Sequence, residues 1–206
     1  NENIAEILRP GEAEELEGEV EARVRDLLDA LVIDHANDHN TRETPKRVAK
    51  LFVREVFRGR YEPRPDITDF PNAKDLDTVY TVGPITVRSA CSHHMCPITG
   101  DLGIGVLPGE RVIGLSKFNR LADWVLSRPH IQEEATVMLA DEIERAIAPK
   151  GLALVMKATH TCMTWRGVRE TDTTMTTSIM RGVFRTVPEA RAEFMTLIEG
   201  QRFQCR

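Results

Sequence analysis

The sequence predicts an α+β chain: an antiparallel sheet with two helices on one face, preceded by a helical extension. Three observations carry this. Residues 12–32 repeat apolar side chains at helical spacing, and from residue 76 onward the pattern changes to alternating β-formers. Two helical stretches then separate two strand-bearing stretches, an order in which both helices can cover one sheet face.

Taken in order, Leu16, Val20, Val24, Leu27, Leu28 and Leu31 share one helical face, with Glu and Arg opposite. Thr44 reads as an N-cap with Pro45 in the first helical position. Val48, Leu51, Phe52 and Val56 form the apolar stripe of that helix, and Gly59 is its expected stop. The proline-rich stretch 60–72 reads as a surface loop. Val79, Thr81, Ile85 and Val87 flank an expected turn at Gly83-Pro84, and Leu102, Ile104 and Val106 belong to a second strand. Ser116 is the expected cap of a helix carrying Phe118, Leu121, Trp124 and Val125 on one face and ending before Pro129. A second helix places Ile131, Ala135, Met138, Leu139, Ile143, Ala146 and Ile147 inward. Residues 152–159 and 173–184 read as strands, and residues 188–198 as a terminal helix. The chain thus divides into a helical region and linker, residues 1–75, and a main domain, residues 76–206.

With 206 residues, 41% of them hydrophobic and 29% charged, the chain has the size and balance of one well-packed domain with an extension. A net charge of −5 argues against a broad basic face for nucleic acid, while a triphosphate needs only a few cations in one cleft. No apolar stretch has the length of a bilayer span. Free cysteines serving as metal ligands fit a reducing compartment, so the cytoplasm is the expected location.

The chemistry concentrates in Cys91-Ser92-His93-His94 and His160-Thr161-Cys162. Cys91 and His94 stand at a spacing that lets thiolate and imidazole close on one Zn²⁺, and Cys162 offers a second thiolate. A lone Cys-x-x-His is more often incidental; the adjacent histidines and the second His-x-Cys reverse those odds. Three protein ligands leave one coordination position for water, the mark of a catalytic zinc site. His93 and His160 would stand beside that water as proton carriers. No paired Cys-x-x-Cys of a zinc finger is present, nor is the zinc-deaminase signature. Cys96 and Cys205 receive no role.

These motifs resemble the GTP cyclohydrolase I family. The resemblance runs from Glu43-Thr44-Pro45-Lys46-Arg47-Val48-Ala49-Lys50 through Gly114-Leu115-Ser116-Lys117-Phe118-Asn119-Arg120. It continues over Arg128-Pro129-His130-Ile131-Gln132-Glu133, His160-Thr161-Cys162-Met163 and Arg166-Gly167-Val168. It implies the tunnelling fold, with residues 76–206 as catalytic domain, a homodecamer with active sites at subunit boundaries, and conversion of GTP and water to formate and 7,8-dihydroneopterin triphosphate. The product would feed folate, biopterin or deazaguanine synthesis.

The resemblance also assigns roles. Cys91, His94 and Cys162 become zinc ligands, and His93 and His160 the proton-transfer histidines. Ser116 resembles a serine implicated in later proton transfers and substrate contact. Lys117 and Arg120 share one helix face and alone would read as a solvated pair. The family places them on the triphosphate with Arg166 and the positions matching Arg47 and Lys50. Glu133 matches the carboxylate that reads the guanine edge, with Gln132 contacting substrate nearby. Ser92, Cys96, Ile98 and Glu134 depart from the family pattern without removing a ligand or an acid–base residue. Two other readings belong beside this one. One is a tunnelling-fold nitrile reductase using a cysteine nucleophile and NADPH; the other is a non-catalytic zinc assembly module with Cys96 as fourth ligand.

Overall fold

The computed structural model describes residues 2–201; Cys205 lies outside them. The chain divides into two compact units, Asn1–Pro63 and Arg64–Arg206.

The first unit is helical. α1 (Glu12–Ala30) packs on α2 (Thr44–Lys50), which runs into a wider π-type stretch, Leu51–Val56, and then α3 (Arg58–Tyr61). Arg54 ties this unit together, donating to Glu17 at 2.7 Å and to Glu14 at 2.8 Å. Two expectations shift here. Thr44 lies inside α2, whose preceding residue is Glu43, and no side chain caps the helix. Gly59 does not end it either: Phe57 N–H bonds five residues back to Phe52 C=O, and Gly59 is buried within α3.

The second unit holds the sheets. β1 (Asp69–Pro71), in the stretch read as a loop, pairs with β4 (Arg111–Ile113), and an Arg111–Asp69 ion pair locks the two. The main sheet comprises β2 (Tyr80–Cys91), β3 (Pro97–Leu107), β5 (Pro129–His130), β6 (Gly151–His160) and β7 (Met175–Gly182), in the order β5-β2-β3-β6-β7. Only the β2–β5 pair is parallel. The expected turn at Gly83-Pro84 is a register shift inside one continuous strand. A bulge accommodates proline's missing N–H without ending the ladder, and Val82 and Ile85 on either side stay buried.

α4 (Leu115–Leu126) and α5 (Gln132–Ile147) cover one face of this sheet. Phe118, Leu121, Val125, Leu139, Ile143 and Ile147 meet Leu102, Ile104 and Val106 of β3 and Leu152, Leu154 and Met156 of β6. Each such side chain contributes about 1.5–3 kcal/mol on burial. Ser116 is the second residue of α4 and caps nothing; Gly114 precedes the helix, and its carbonyl accepts from Lys117 N–H at 2.9 Å.

The opposite face is not bare. After Gly182, at φ 55°, the chain leaves β7 for α7 (Val183–Thr186) and α8 (Pro188–Glu199). Phe184, read as strand, is therefore helical, and it packs with Phe194 and Ile198 against Ala153 and Val155. β6 is buried on both faces, which explains its unbroken apolar run. α8 sits over the end of the sheet remote from the β2–β3 hairpin, where Phe194 lies against Gly105. Among the described residues, no helix is long and apolar enough to cross a membrane.

Candidate metal centre and active site

The hairpin between β2 and β3 builds the first half of the site. Cys91 N–H donates to Cys96 C=O and Met95 N–H to Cys91 C=O, both at 2.8 Å. Met95 takes φ 55°, an uncommon conformation for a side chain of its size. The result turns the chain sharply and leaves His93 and His94 exposed above a buried Cys91. β5 braces the hairpin from the other side: Cys91 pairs with His130, and Ser92 N–H donates to His130 C=O at 3.1 Å.

The second half follows β6. His160 ends that strand opposite Ile98, and Cys162 lies in α6 (Thr161–Thr164). One ligand atom each from Cys91, His94 and Cys162 lies within 4.8 Å of the others. Two thiols and an imidazole that close together suit Zn²⁺, with bonds of about 2.0–2.3 Å. Charge makes the same point. The Cys162 thiol is pushed up by burial first, then by Cys91 and Cys96 beside it. A dication at this set is what lets two crowded thiols ionise together. Cys96 is not part of the set; its thiol points at His94 C=O, 3.6 Å away.

The remaining residues fall into three groups. His93 Nδ1 lies 3.7 Å from Cys91 Sγ, and Arg166 Nη1 donates to His94 Nε2 at 2.9 Å. A neutral imidazole has one lone pair, so coordination through either nitrogen of His94 releases Arg166. His160 Nε2 lies 2.9 Å from Gln132 Oε1, and Gln132 is almost wholly buried. Burial lowers the His160 pKa below its ordinary value, with the nearby Glu133 carboxylate opposing this. Burial thus favours the uncharged imidazole, the form able to take a proton.

Ser116, Lys117 and Arg120 occupy the first turns of α4, and Lys117 Nζ donates to Asp66 C=O at 2.9 Å. No contact among the described residues joins them to the Cys-His-Cys set. Arg47 and Lys50 are exposed on α2 in the first unit. Sequence reasoning gave His130 no role, yet it braces the hairpin. Burial, then the Arg128 charge, brings its pKa down to about 4, and its Nε2–H donates to Val125 C=O at 3.2 Å. Its place next to Pro129 was the only signal.

Fold and site together define a class: a mixed α+β protein with a three-donor Cys-His-Cys set and a half-buried histidine at one end of its sheet. The family model for GTP cyclohydrolase I matches residues 20–199. GTP cyclohydrolase 1 of Rhodopirellula baltica is 39% identical over 180 residues, 87% of this chain and 77% of that protein. The Aliivibrio salmonicida protein of the same name is 35% identical over 184 residues, 89% and 84% of the two chains. An archaeosine synthase QueF-Like structure in the apo form aligns with a TM-score of 0.39 at 13% identity, over 58% of this chain and 97% of that one; so low a score carries no weight in assigning the fold. The chain belongs to the GTP cyclohydrolase I family.

Proposed function

We propose that the protein is a zinc-dependent GTP cyclohydrolase I of the tunnelling fold, acting in the cytoplasm as a homodecamer. It would convert GTP and water to formate and 7,8-dihydroneopterin triphosphate. The observation that carries this reading is the Cys91-His94-Cys162 set with its ligand atoms within 4.8 Å, flanked by His93 and His160. Zn²⁺ held there supplies Lewis-acid activation of water, bringing its pKa to about 7.

The chain's own residues do the rest. Water adds at C8 of the guanine and the imidazole ring opens to a formamide, which a second water cleaves to release formate; the ribose carbons then rearrange and close the pterin ring with loss of one water. Ring nitrogens must gain protons as C–N bonds break, and His93 and His160 carry them. Burial shifts His160 toward its uncharged form. Ser116 assists the later transfers. Glu133 accepts the N1 and exocyclic amino protons of guanine, with Gln132 beside it. Lys117, Arg120 and the Arg166 released from His94 hold the triphosphate, joined by Arg47 and Lys50.

Incubation with GTP tests this, following formate and the pterin absorbance together. Both should rise in step, and GTP turnover without formate would overturn the reading. Glu133→Gln sets a donor against a donor on the guanine edge, a loss of about 2–4 kcal/mol. That is about 30- to 800-fold in kcat/KM for GTP, with zinc content unchanged.

A further inference from the structure

The side-chain amide of Gln132 decides which nitrogen of His160 carries the proton. Gln132 Nε2 lies 3.1 Å from Met156 C=O, 3.2 Å from Met175 C=O and 3.1 Å from Thr177 Oγ1. Two of these partners are backbone carbonyls, which only accept. A flipped amide would set its oxygen against both, so the nitrogen belongs there and Oε1 faces His160 Nε2 at 2.9 Å. An amide oxygen only accepts. His160 Nε2 therefore bears the hydrogen, and the lone pair sits on Nδ1.

The direction of the chain extends one step further. Thr136 Oγ1 donates its single hydrogen to Gln132 backbone C=O at 2.7 Å. In the 3.1 Å contact between Thr136 and Thr177 the donor is then Thr177. With its hydrogen so committed, Thr177 can only accept from Gln132. The two hydroxyl hydrogens each have one place to go, while the two hydrogens of the amide are shared among three acceptors, of which Thr177 Oγ1 is the one that a side-chain substitution can remove.

We infer that Thr177 is a positioning residue: through Gln132 it helps to hold His160 as the Nε2–H tautomer, with the lone pair on Nδ1. This rests on the reading of His160 as a proton carrier. No residue of the chain Thr177–Thr136–Gln132 needs to touch substrate for the effect.

Zinc-loaded protein labelled with ¹⁵N at its six histidines would be measured by solid-state NMR, and His160 identified by its loss in His160→Gln. The wild type should show a protonated-type Nε2 and a lone-pair-type Nδ1 for His160. Thr177→Val keeps the branched shape but removes the hydroxyl. It should give a mixture of tautomers and lower kcat for formate release about 10-fold, the low end for outer-shell partners. KM for GTP should stay within about 2-fold, since the residue does not bind substrate. Thr177→Ser, which restores the hydroxyl, should recover both the spectrum and kcat. A wild-type His160 protonated on Nδ1 overturns the inference even if no Thr177 variant folds. So does a Thr177→Val protein with the wild-type spectrum and kcat, or a Thr177→Ser protein no better than Thr177→Val. Wild-type protein with the Nε2–H tautomer but no formate from GTP would overturn the cyclohydrolase reading and leave the tautomer assignment standing.

Discussion

Cys162 and His160 are two residues apart yet face different tasks, one in the three-donor set and the other bonded to a buried amide. Substitution should separate them. The wild type should carry about one zinc per chain, as a single three-ligand site requires. Cys162→Ser and His94→Ala should lose the metal and with it formate release. His93→Ala and His160→Ala should keep most of their zinc and lose turnover about 10²-fold, the scale of a missing acid–base group. Metal analysis beside the formate assay decides the assignment, and a zinc-free His93→Ala with a zinc-replete His94→Ala would exchange the two roles. The three-donor set could be read from the chain because each half is local: Cys-x-x-His in one hairpin and His-x-Cys at one strand end. Gln132 and His160 could be named but not joined, since their contact exists only where the start of α5 meets the end of β6. Thr177 left no trace in the sequence at all.

At the scale of elements, the periodic segments were predictable and their junctions were not. The stripes of α1, α4 and α5 announce themselves over several turns. Thr44 and Ser116 have the chemistry of caps, but tertiary packing starts each helix at or just before them. Gly83-Pro84 carries a turn signal, overridden because residues on both sides have partners in β3 and buried places in the core. The second cover, α7 and α8, has its own point of contact. A Cβ at Gly105 would run into the Phe194 ring. Gly105→Ala should therefore lower stability by about 1–3 kcal/mol through overpacking. The site lies at the other end of the sheet, so metal content should be untouched. Denaturant unfolding with zinc analysis tests this; an unchanged midpoint would mean α8 gives way freely.

For the whole molecule, the titration of Tyr80 offers a measurable edge. Burial pushes its hydroxyl up to about 12 from an ordinary 10, and its ring meets Phe118 edge-on at 6.4 Å. Between these values the unfolded chain has released a proton that the folded one keeps. Stability from this group is therefore complete below about pH 10 and falls as pH rises toward 12. Tyr80→Phe removes that proton from both states. The melting temperature of the wild type should fall relative to that of Tyr80→Phe as pH rises above 10. A constant difference would mean the hydroxyl is solvated.

The three-donor set draws on β2, its hairpin and the segment after β6, and between those two strands runs β3. A metal there closes a loop through half the domain, so loading and folding become one linked equilibrium. Ligand that favours the folded chain adds RT ln(1 + [L]/Kd), about 2.7 kcal/mol when free zinc stands at 100 times Kd. For a chain of this size that is a melting temperature about 5–11 °C higher. Titrating zinc into chelator-stripped protein should raise the melting point steadily with the logarithm of free zinc, and Cys162→Ser should flatten the curve. A melting point indifferent to zinc would mean the strands hold their positions without the ion. If the slope is as expected, the apo chain becomes the more protease-sensitive form, and zinc supply sets how much of the protein survives.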